Sequence, residues 1–346
     1  MTDAVPVPLR LFTEKDADPQ ALNGEKVGIL GYGNLGRPFA LNLRDSEVKD
    51  IVIGNIQDAY ADQAHAEGFT VVSLAEASHR DIVLILLPDE VIPEVFGPEI
   101  ATNLTPHSAI VFASGYNLAY GLIQPPRVVD ILLLAPRMAG ENARQRYLNQ
   151  QGFYAYISVE QDVSNKAWKR LLGLAHGVGV LKAAALELSL RMEADLDLFI
   201  EQTLGAVVGL AIMNAYTVGQ AASIPVEALA MEMYIDEEME TVWRGFREKG
   251  FFRSSLAHGP TAMYGGYLRT MDLMQLNLDT YFSKILEEIR CGKFATQFQE
   301  ERQAGYPMLE LANELIASED LISSAEDWLK GQINTARETP REVSSV

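Results

Sequence analysis

Residues 26–45 read KVGILGYGNLGRPFALNLRD: an apolar run typical of a β-strand, a glycine-rich turn, and the start of a helical pattern. Gly31 and Gly33 permit a tight turn and a close approach of the backbone to a pyrophosphate, and Gly36 lets strand and helix pack closely. The N–H groups at the start of the helix then face the anion. The stretch therefore predicts a nicotinamide dinucleotide site. Its turn residues are Gly31, Tyr32, Gly33, Asn34, Leu35 and Gly36.

The second β-type run, KDIVIGN, ends at Asn55, nineteen residues after Gly36. The strand–helix–strand context of the motif is therefore present, and it disfavours a chance glycine turn. At this point of such a fold the chain faces the adenosine ribose. Asn55 can bond to a ribose hydroxyl, and Asp58 would repel a 2′-phosphate. The loop favours NADH, with NADPH possible; the alternative is a solvated loop whose acids arose by chance.

Length and composition restrict the class of protein. The chain has 346 residues, 48% of them hydrophobic, so two domains are expected. A formal net charge of −19, with no basic cluster, argues against a nucleic-acid partner. The single cysteine, Cys291, excludes an internal disulfide and suits a reducing compartment. No apolar signal region is seen near the N-terminus, and the protein is predicted to be cytoplasmic.

β-type runs alternate with helical patterns from Lys26 to about Ser158, which predicts an α/β fold with a Rossmann-type, doubly wound parallel sheet covered on both faces. The runs are KVGILG, DIVIGN, FTVVS, DIVLILLP, SAIVFAS, VDILLLAP and FYAYISV. After Asn165 strand patterns end, so the second domain is expected to be all-α. The predicted segments are a lead-in at 1–23, a dinucleotide-binding domain at 24–162, a helical domain at 163–330 and a flexible tail at 331–346.

Three further stretches follow β-type runs and are expected to contribute to the site. Ligands of doubly wound sheets bind at the carboxyl ends of the strands. The stretches LLPDE (86–90), ASGYN (113–117) and APRMAG (135–140) stand at the ends of three such runs and should line the site. We therefore assign Leu87, Pro88, Ser114 and Gly115 to the cofactor side of the site.

The segment Thr203–Ile224 carries no charged residue over a length that could span a bilayer. Asn214, Tyr216, Gln220 and several small residues interrupt it, and acidic residues flank it. A helix that is apolar on all sides is also what the centre of a helical domain requires. We interpret the segment as a buried core helix and predict no membrane partner.

Strings along the chain resemble ketol-acid reductoisomerase, the branched-chain amino-acid enzyme that isomerises and then reduces acetohydroxy acids. They are KDAD at 15–18, GYGNLGRPFALNLRDS at 31–46, LLPDE at 86–90, FASGYN at 112–117, LAPR at 134–137, DLDLFIEQ at 195–202 and CGKFA at 291–295. The resemblance covers nearly the whole chain, and the length corresponds to the short form of the family. It implies a small-molecule substrate, a knotted helical domain like that of 6-phosphogluconate dehydrogenase, and a homodimer with a shared active site.

The resemblance also implies a metal site. In the family, DLFxEQ supplies an Asp and a Glu that hold two Mg²⁺ ions, and these positions are Asp197 and Glu201 here. Spacing i, i+4 places both carboxylates on one helix face, and hard oxygen ligands suit Mg²⁺. An exposed acidic helix face is the alternative. A second pair of acids, which the family takes from the partner subunit, aligns with Tyr234 and Glu238, and a phenol is a poor Mg²⁺ ligand.

Three other positions depart from the family pattern. The family's His before Gly115 is Ser114, which removes an imidazole that exchanges protons near neutral pH. The family's Lys after Ala-Pro is Arg137, which stays protonated but can fork onto a carboxylate. The family's substrate-binding Ser aligns with Gly259, and His258 beside it is new. The candidate catalytic residues are Ser114, Arg137, Asp197, Glu201, Tyr234, Glu238 and His258.

These departures all affect residues that the isomerase step needs more than hydride transfer does. Acyloin isomerisation needs a hydroxyl and a carbonyl bound to two metal ions together with proton management, whereas hydride transfer needs a bound cofactor and one polarised double bond. We therefore expect an NAD(P)H-dependent reductase of a small C=O or C=N compound that has lost the isomerase step. The alternatives are an authentic Mg²⁺-dependent ketol-acid reductoisomerase and a non-catalytic nucleotide-binding homologue.

Overall fold

A computed structural model describes residues 9–318 and 320–338. The chain forms two compact units that divide between Asp197 and Leu198. The predicted boundary at 162/163 is therefore too early. The residues between these two boundaries include a helix and a strand that pack onto the sheet of the first unit.

Within the described residues, nine strands form one sheet. They are β1 (Leu11–Phe12), β2 (Lys26–Leu30), β3 (Asp50–Gly54), β4 (Thr70–Val72), β5 (Ile82–Ile85), β6 (Ala109–Phe112), β7 (Asp130–Pro136), β8 (Tyr154–Gln161) and β9 (Ala184–Glu187). The strand order is β1-β9-β8-β7-β6-β5-β2-β3-β4. Each of the seven predicted runs contains a strand. The pairs from β4 through β2 to β7 are parallel, as predicted.

The sheet differs from the prediction at its β1 edge. β8 runs antiparallel to β7, and β1 runs antiparallel to β9. Apolar runs of buried strands read alike in either direction, so the pattern could not show the reversal. β9, with the sequence AALE, contradicts the expectation that strands end after Asn165. Ala, Leu and Glu favour helices, and pairing with β8 and β1 makes this segment a strand. β1 likewise lies in the predicted lead-in.

Helices cover both faces of the sheet. In the first unit they are α1 (Gly36–Asp45), α2 (Ala59–Ala66), α3 (Leu74–Ala77), α4 (Ile92–Val95), α5 (Tyr116–Ala119), α6 (Gly140–Leu148), α7 (Ala167–Gly177) and the start of α8 (Leu190–Ile200). Alternate residues of β5 enter different cores: Ile82 and Leu84 join one apolar cluster, while Val83 and Ile85 join the other. The doubly wound arrangement is thereby confirmed.

Every described residue of the second unit lies in a helix, a turn or a loop. Its helices are α9 (Ala206–Ala221), α10 (Val226–Ala230), α11 (Glu238–Lys249), α12 (Phe251–Ser254), α13 (Pro260–Leu273), α14 (Leu278–Arg290), α15 (Lys293–Gln303), α16 (Pro307–Ser318) and α17 (Asp320–Glu338). The all-α prediction is confirmed. α17 continues beyond the predicted start of a tail at 331, because the first proline after this point is Pro340. The rest of the predicted tail lies outside the described residues.

The uncharged segment is helical but exposed. α8, a π-helical turn (Glu201–Gly205) and α9 form one continuous helix, Leu190–Ala221, which by length and composition alone could cross a membrane. Met213 and Val218 are 66% and 68% exposed, and within α9 only Tyr216 and Gly219 are buried. The prediction of a buried core helix is wrong for the single chain. A small helical unit has too little apolar surface to enclose one helix on all sides.

Candidate active site

The glycine turn has the geometry that the motif requires. Gly31 adopts a positive φ of 94°, and its N–H donates to the Gly54 carbonyl over 2.8 Å. A Cβ at Gly36 would lie 2.0 Å from the Gly31 carbonyl oxygen, so only glycine lets α1 begin here. A Cβ at Gly33 would meet nothing within 4 Å. The open space at Gly33, beside the N-terminus of α1, fits a dinucleotide pyrophosphate.

The other turn residues have different surroundings. Tyr32 is 1% exposed, and its hydroxyl donates to Glu67 Oε2 over 2.5 Å, so this residue can offer a cofactor only its backbone. Burial raises the pKa of the Tyr32 phenol, and the hydrogen bond to Glu67 raises it further. Asn34 Oδ1 accepts from the Gly140 N–H over 3.2 Å, which ties the turn to α6. Leu35 lines a cavity beside the turn.

Asn55 and Asp58 lie at the end of β3 and bond to each other. Asn55 Nδ2 donates to Asp58 Oδ1 over 2.9 Å. The same oxygen accepts from the N–H groups of Tyr60 and Ala61, which makes Asp58 the N-cap of α2. The carboxylate therefore has a structural role that the loop composition alone did not indicate. It also keeps a negative charge at the position expected to face the ribose.

A cavity of about 210 Å³ opens where β5 and β6 end. Its walls contain four residues that the sequence assigned to the site, namely Leu35, Leu87, Pro88 and Ser114. Asp89 also lines it. Two strand ends and the glycine turn thus meet at one place, which is where ligands of doubly wound sheets bind.

Asp89 belongs to the LLPDE stretch that was expected to line the site, although it was not singled out as a site residue. Its main-chain carbonyl and its Oδ1 both accept from Asn117 Nδ2, at 3.1 and 3.0 Å. Burial raises the pKa of the Asp89 carboxyl to about 6, and the neighbouring charge of Glu90 acts in the same direction. Asn117 Oδ1 is buried and has no hydrogen-bond partner among the described residues. The cavity wall therefore holds a buried carboxyl whose pKa is raised above its ordinary value.

An ion-pair network lies next to this cavity. Glu193 is 2% exposed, and its Oε2 accepts from the Gly115 N–H over 2.8 Å. Its Oε1 accepts from Arg137 Nη1 over 3.2 Å. Arg137 Nη2 donates to Asp197 Oδ1. The guanidinium therefore lies between two carboxylates, with its carbon 5.2 Å from the centre of the Tyr156 ring.

Burial raises the pKa of Glu193 to about 7, and the Gly115 N–H and the Arg137 charge oppose this rise. Sequence reasoning did not single out Glu193. A signal was present, since Glu193, Asp197 and Glu201 follow one another at i, i+4 and i+8 and so share one helix face. Asp89 and Asn117 could have been found within the LLPDE and ASGYN stretches that follow β5 and β6.

The remaining predicted residues belong to the second unit. Tyr234 lies in a π-helical turn (Met231–Ile235), where its hydroxyl donates to Glu326 Oε1 and is 2.5 Å from the Tyr216 hydroxyl. Glu238 begins α11, after Glu237 breaks the helix with a φ of 65°. Tyr234 and Glu238 therefore do not share the face of one helix that spacing i, i+4 implied. Glu238 and His258 line one cavity of about 240 Å³.

The described residues do not form the two-cation site that the resemblance implied. Asp197 is paired with a fixed cation, and Glu201 lies in the π-helical turn after α8. Tyr234 is bonded to an acid of its own unit. Among the described residues no group of three or more His, Cys, Asp or Glu side chains is placed to hold a metal ion. The nicotinamide site fits its cofactor, whereas Asp197, the first residue aligned with a metal ligand, is paired with Arg137.

Comparison with known families accounts for nearly the whole chain. Residues 21–184 match the NADPH-binding domain of acetohydroxy acid isomeroreductase, and residues 190–330 match the C-terminal domain of ketol-acid reductoisomerase. The two matches meet close to the start of α8.

Individual relatives agree. A Saccharolobus solfataricus protein provisionally named ketol-acid reductoisomerase 3 is 33% identical over 92% of this chain and 97% of its own length. A Caldivirga maquilingensis ketol-acid reductoisomerase (NADP⁺) is 33% identical over 86% of this chain and 90% of its own. The solved structure of an NADH-preferring ketol-acid reductoisomerase from an uncultured archean superposes with a TM-score of 0.86, at 26% identity, over 93% of this chain and 98% of that one. The chain belongs to the ketol-acid reductoisomerase family of NAD(P)H-dependent oxidoreductases.

Proposed function

We propose that this enzyme transfers a hydride from a reduced nicotinamide to the C=O or C=N group of a small polar compound and no longer catalyses the isomerase step. The observation that carries the proposal is the pairing of Asp197 with Arg137. Acyloin migration needs a hydroxyl and a carbonyl that two cations hold together. Here Asp197, which aligns with a metal ligand of the family, is paired with the guanidinium of Arg137. Hydride transfer has no such requirement.

Two further positions support the loss of isomerisation. Ser114 offers a hydroxyl, which does not exchange protons near neutral pH as an imidazole does. Tyr234 stands where the family has an acid, and its hydroxyl is bonded to Glu326. Both differences remove functions that the isomerase step uses and hydride transfer does not.

We infer a preference for NADH over NADPH. Asp58 and Asp62 place negative charge at the start of α2, where a 2′-phosphate would have to bind. The similar archean structure is named as NADH-preferring, while the Caldivirga relative is named for NADP⁺. Relatives of both kinds exist, so the loop at residues 55–62 carries the argument.

We also propose a cytoplasmic homodimer whose subunits share the active site and interlock through knotted helical domains. The exposed apolar face of α9, with Leu210, Met213 and Val218, supports an interface in the second unit. The exposed and unpaired Cys291 suits a reducing compartment.

The decisive assay is NADH oxidation with acetolactate, with a 3-hydroxy-2-keto acid and with a cyclic imine, each with and without Mg²⁺. We expect no turnover of acetolactate and measurable reduction of one of the other acceptors. Turnover of acetolactate at an ordinary rate of about 1 per second would overturn the proposal. The second candidate, an authentic ketol-acid reductoisomerase, is favoured by the names of the relatives and would then replace it.

A second assay tests the residues held responsible. The variant that combines Tyr234→Glu, Ser114→His, Arg137→Lys and Gly259→Ser restores the family side chains. We expect its ratio of acetolactate turnover to 3-hydroxy-2-keto acid reduction to exceed that of the wild type. An unchanged ratio would show that these four positions do not account for the loss.

A further inference from the structure

Arg137 is a cation that two acids hold at the site, and hydride transfer as described above gives it no role. It stands directly after β7, where its main-chain N–H donates to the Tyr154 carbonyl over 2.8 Å. Its side chain is held by Glu193, by Asp197 and by the face of the Tyr156 ring. These contacts fix both the position and the orientation of a partly exposed guanidinium.

The network leaves donors available. A guanidinium has five N–H donors in a rigid fork. Among the described residues, the side chain of Arg137 donates one bond to Glu193 and one to Asp197. The remaining donors can meet a substrate oxygen without breaking either ion pair.

The location suits a substrate next to the cofactor. Glu193 accepts from the Gly115 N–H, and Ser114, the neighbour of Gly115, lines the cavity at the carboxyl ends of β5 and β6. Leu35 of the glycine turn lines the same cavity. A short chain of contacts therefore connects the fixed cation with the place where the nicotinamide is expected.

We propose that Arg137 replaces the metal ions of the family site as the cation that binds and polarises a ketone substrate, so that reduction needs no divalent metal. The inference rests on the proposed reductase function and narrows its substrate class. The carbonyl carbon accepts the hydride, the C=O π electrons move to oxygen, and the Arg137 N–H groups stabilise the oxyanion until water supplies a proton. A bound reduced nicotinamide would supply the hydride and would be oxidised by this transfer.

Three consequences follow from this arrangement. A guanidinium donates hydrogen bonds to a carbonyl oxygen, whereas a protonated imine has no lone pair to accept them, so a ketone is the substrate class. Glu193 and Asp197 are then positioning residues, which hold the guanidinium in place. A single cation that forms hydrogen bonds also cannot bridge a hydroxyl and a carbonyl as two Mg²⁺ ions do, which accords with the loss of isomerisation.

Mn²⁺ binding tests the inference independently of turnover. Electron paramagnetic resonance on the full-length protein with NADH measures binding of Mn²⁺ at millimolar concentration. We expect no specific binding by the wild type, and binding by Arg137→Gln, which removes the cation paired with Asp197. Specific binding by the wild type overturns the inference whether or not any acceptor is reduced. If the acceptor assay fails instead, the proposed function falls while this measurement still decides the metal question.

Kinetics with the 3-hydroxy-2-keto acid test the role of the charge. We expect EDTA to change the wild-type rate by less than about twofold, and Arg137→Gln to lower kcat by about 100-fold. Arg137→Lys should recover part of this loss. NADH affinity, unchanged in both variants, shows that the first unit remains folded.

Arg191→Gln is the matched control, because Arg191 also pairs with an acid, Asp195, and lies 5.1 Å from a tyrosine ring, that of Tyr120. Its kcat should stay within about twofold of the wild type. An equal loss in the Arg137 and Arg191 variants, or a rate abolished by EDTA and restored by Mg²⁺, would overturn the inference.

Discussion

The two units bury their apolar residues to very different extents. In the first unit, Ile82 and Leu84 of β5 are 0% exposed between helices on both sides of the sheet. In the second unit, Met213 and Val218 of α9 are 66% and 68% exposed, although the segment carries no charge. The first unit completes its core within one chain, whereas the second presents a surface that a partner would cover. Equal hydrophobicity in two segments therefore does not imply equal burial.

The first unit buries its apolar core within one chain, and its stability depends on close packing at Gly36. Gly36→Ala would place a Cβ 2.0 Å from the Gly31 carbonyl oxygen, so we expect a loss of about 3 kcal/mol or more in unfolding free energy. Denaturant unfolding measures it. Gly33→Ala is the control, since its Cβ meets nothing within 4 Å. It should leave stability within about 0.5 kcal/mol while weakening NADH binding. Equal stability of the two variants would contradict this account of the turn.

A substitution in α9 tests whether the exposed apolar surface of the second unit forms a dimer interface. Val218→Glu should weaken self-association by about 2 kcal/mol, because it places a charge within the proposed dimer interface. Sedimentation over a range of concentrations measures the dimer fraction. Leu148→Glu, in α6 of the first unit at a residue that is 49% exposed, should leave the dimer unchanged. A wild type that remains a monomer at micromolar concentration would remove the basis of the shared-site proposal.

The units also differ in buried charge, which gives a pH effect. Burial raises the pKa of Glu193 to about 7 from its ordinary 4.5, so the folded protein favours the protonated acid. The stability that this contributes is complete below pH 4.5 and is lost as pH rises through about 7. Glu193→Gln, which mimics the protonated form, should gain on the order of 1 kcal/mol relative to wild type between pH 5 and 8.

Melting temperatures across this pH range measure the difference. Glu240→Gln, an exposed acid of the second unit, should show no such trend. A parallel pH dependence in wild type and Glu193→Gln would mean that Glu193 keeps its ordinary pKa.

The last predicted effect concerns the cofactor loop. Asp58→Asn keeps an N-cap for α2 and removes the charge, so NADPH affinity should rise by about tenfold, or roughly 1.4 kcal/mol. Fluorescence titration compares NADPH with NADH. Asp62→Asn, one turn further into α2, should have a smaller effect. A wild type that already prefers NADPH tenfold would show that Asp58 does not select the cofactor.

The sequence predicted the features that depend on local signals and missed those that depend on contacts between distant residues. The βαβ turn and seven of the strands were readable, because glycine spacing and short apolar runs are local signals. The direction of β8 and the strand β9 were not, because only their neighbours determine them. At the site, Ser114 and Arg137 were found by their position after strands. Glu193 was missed because its burial and its bond to Gly115 connect residues far apart in the chain.

The second unit shows the limit of spacing arguments. Tyr234 and Glu238 are four residues apart, and a continuous helix would place them on one face. Glu237 adopts a positive φ and ends that helix, and no glycine or proline in the sequence announces the break. The bond from Tyr234 to Glu326 likewise depends on how α17 packs against the unit, which apolar periodicity does not reveal.

Gly115 sets a practical rule for redesigning this enzyme. A side chain there would place its first carbon 2.2 Å from the Leu190 carbonyl oxygen and 3.1 Å from Glu193 Oε2. Mutant libraries that vary position 114 to restore proton exchange should therefore keep glycine at 115. Of these two adjacent positions, a library can vary the first, whereas the second must remain glycine.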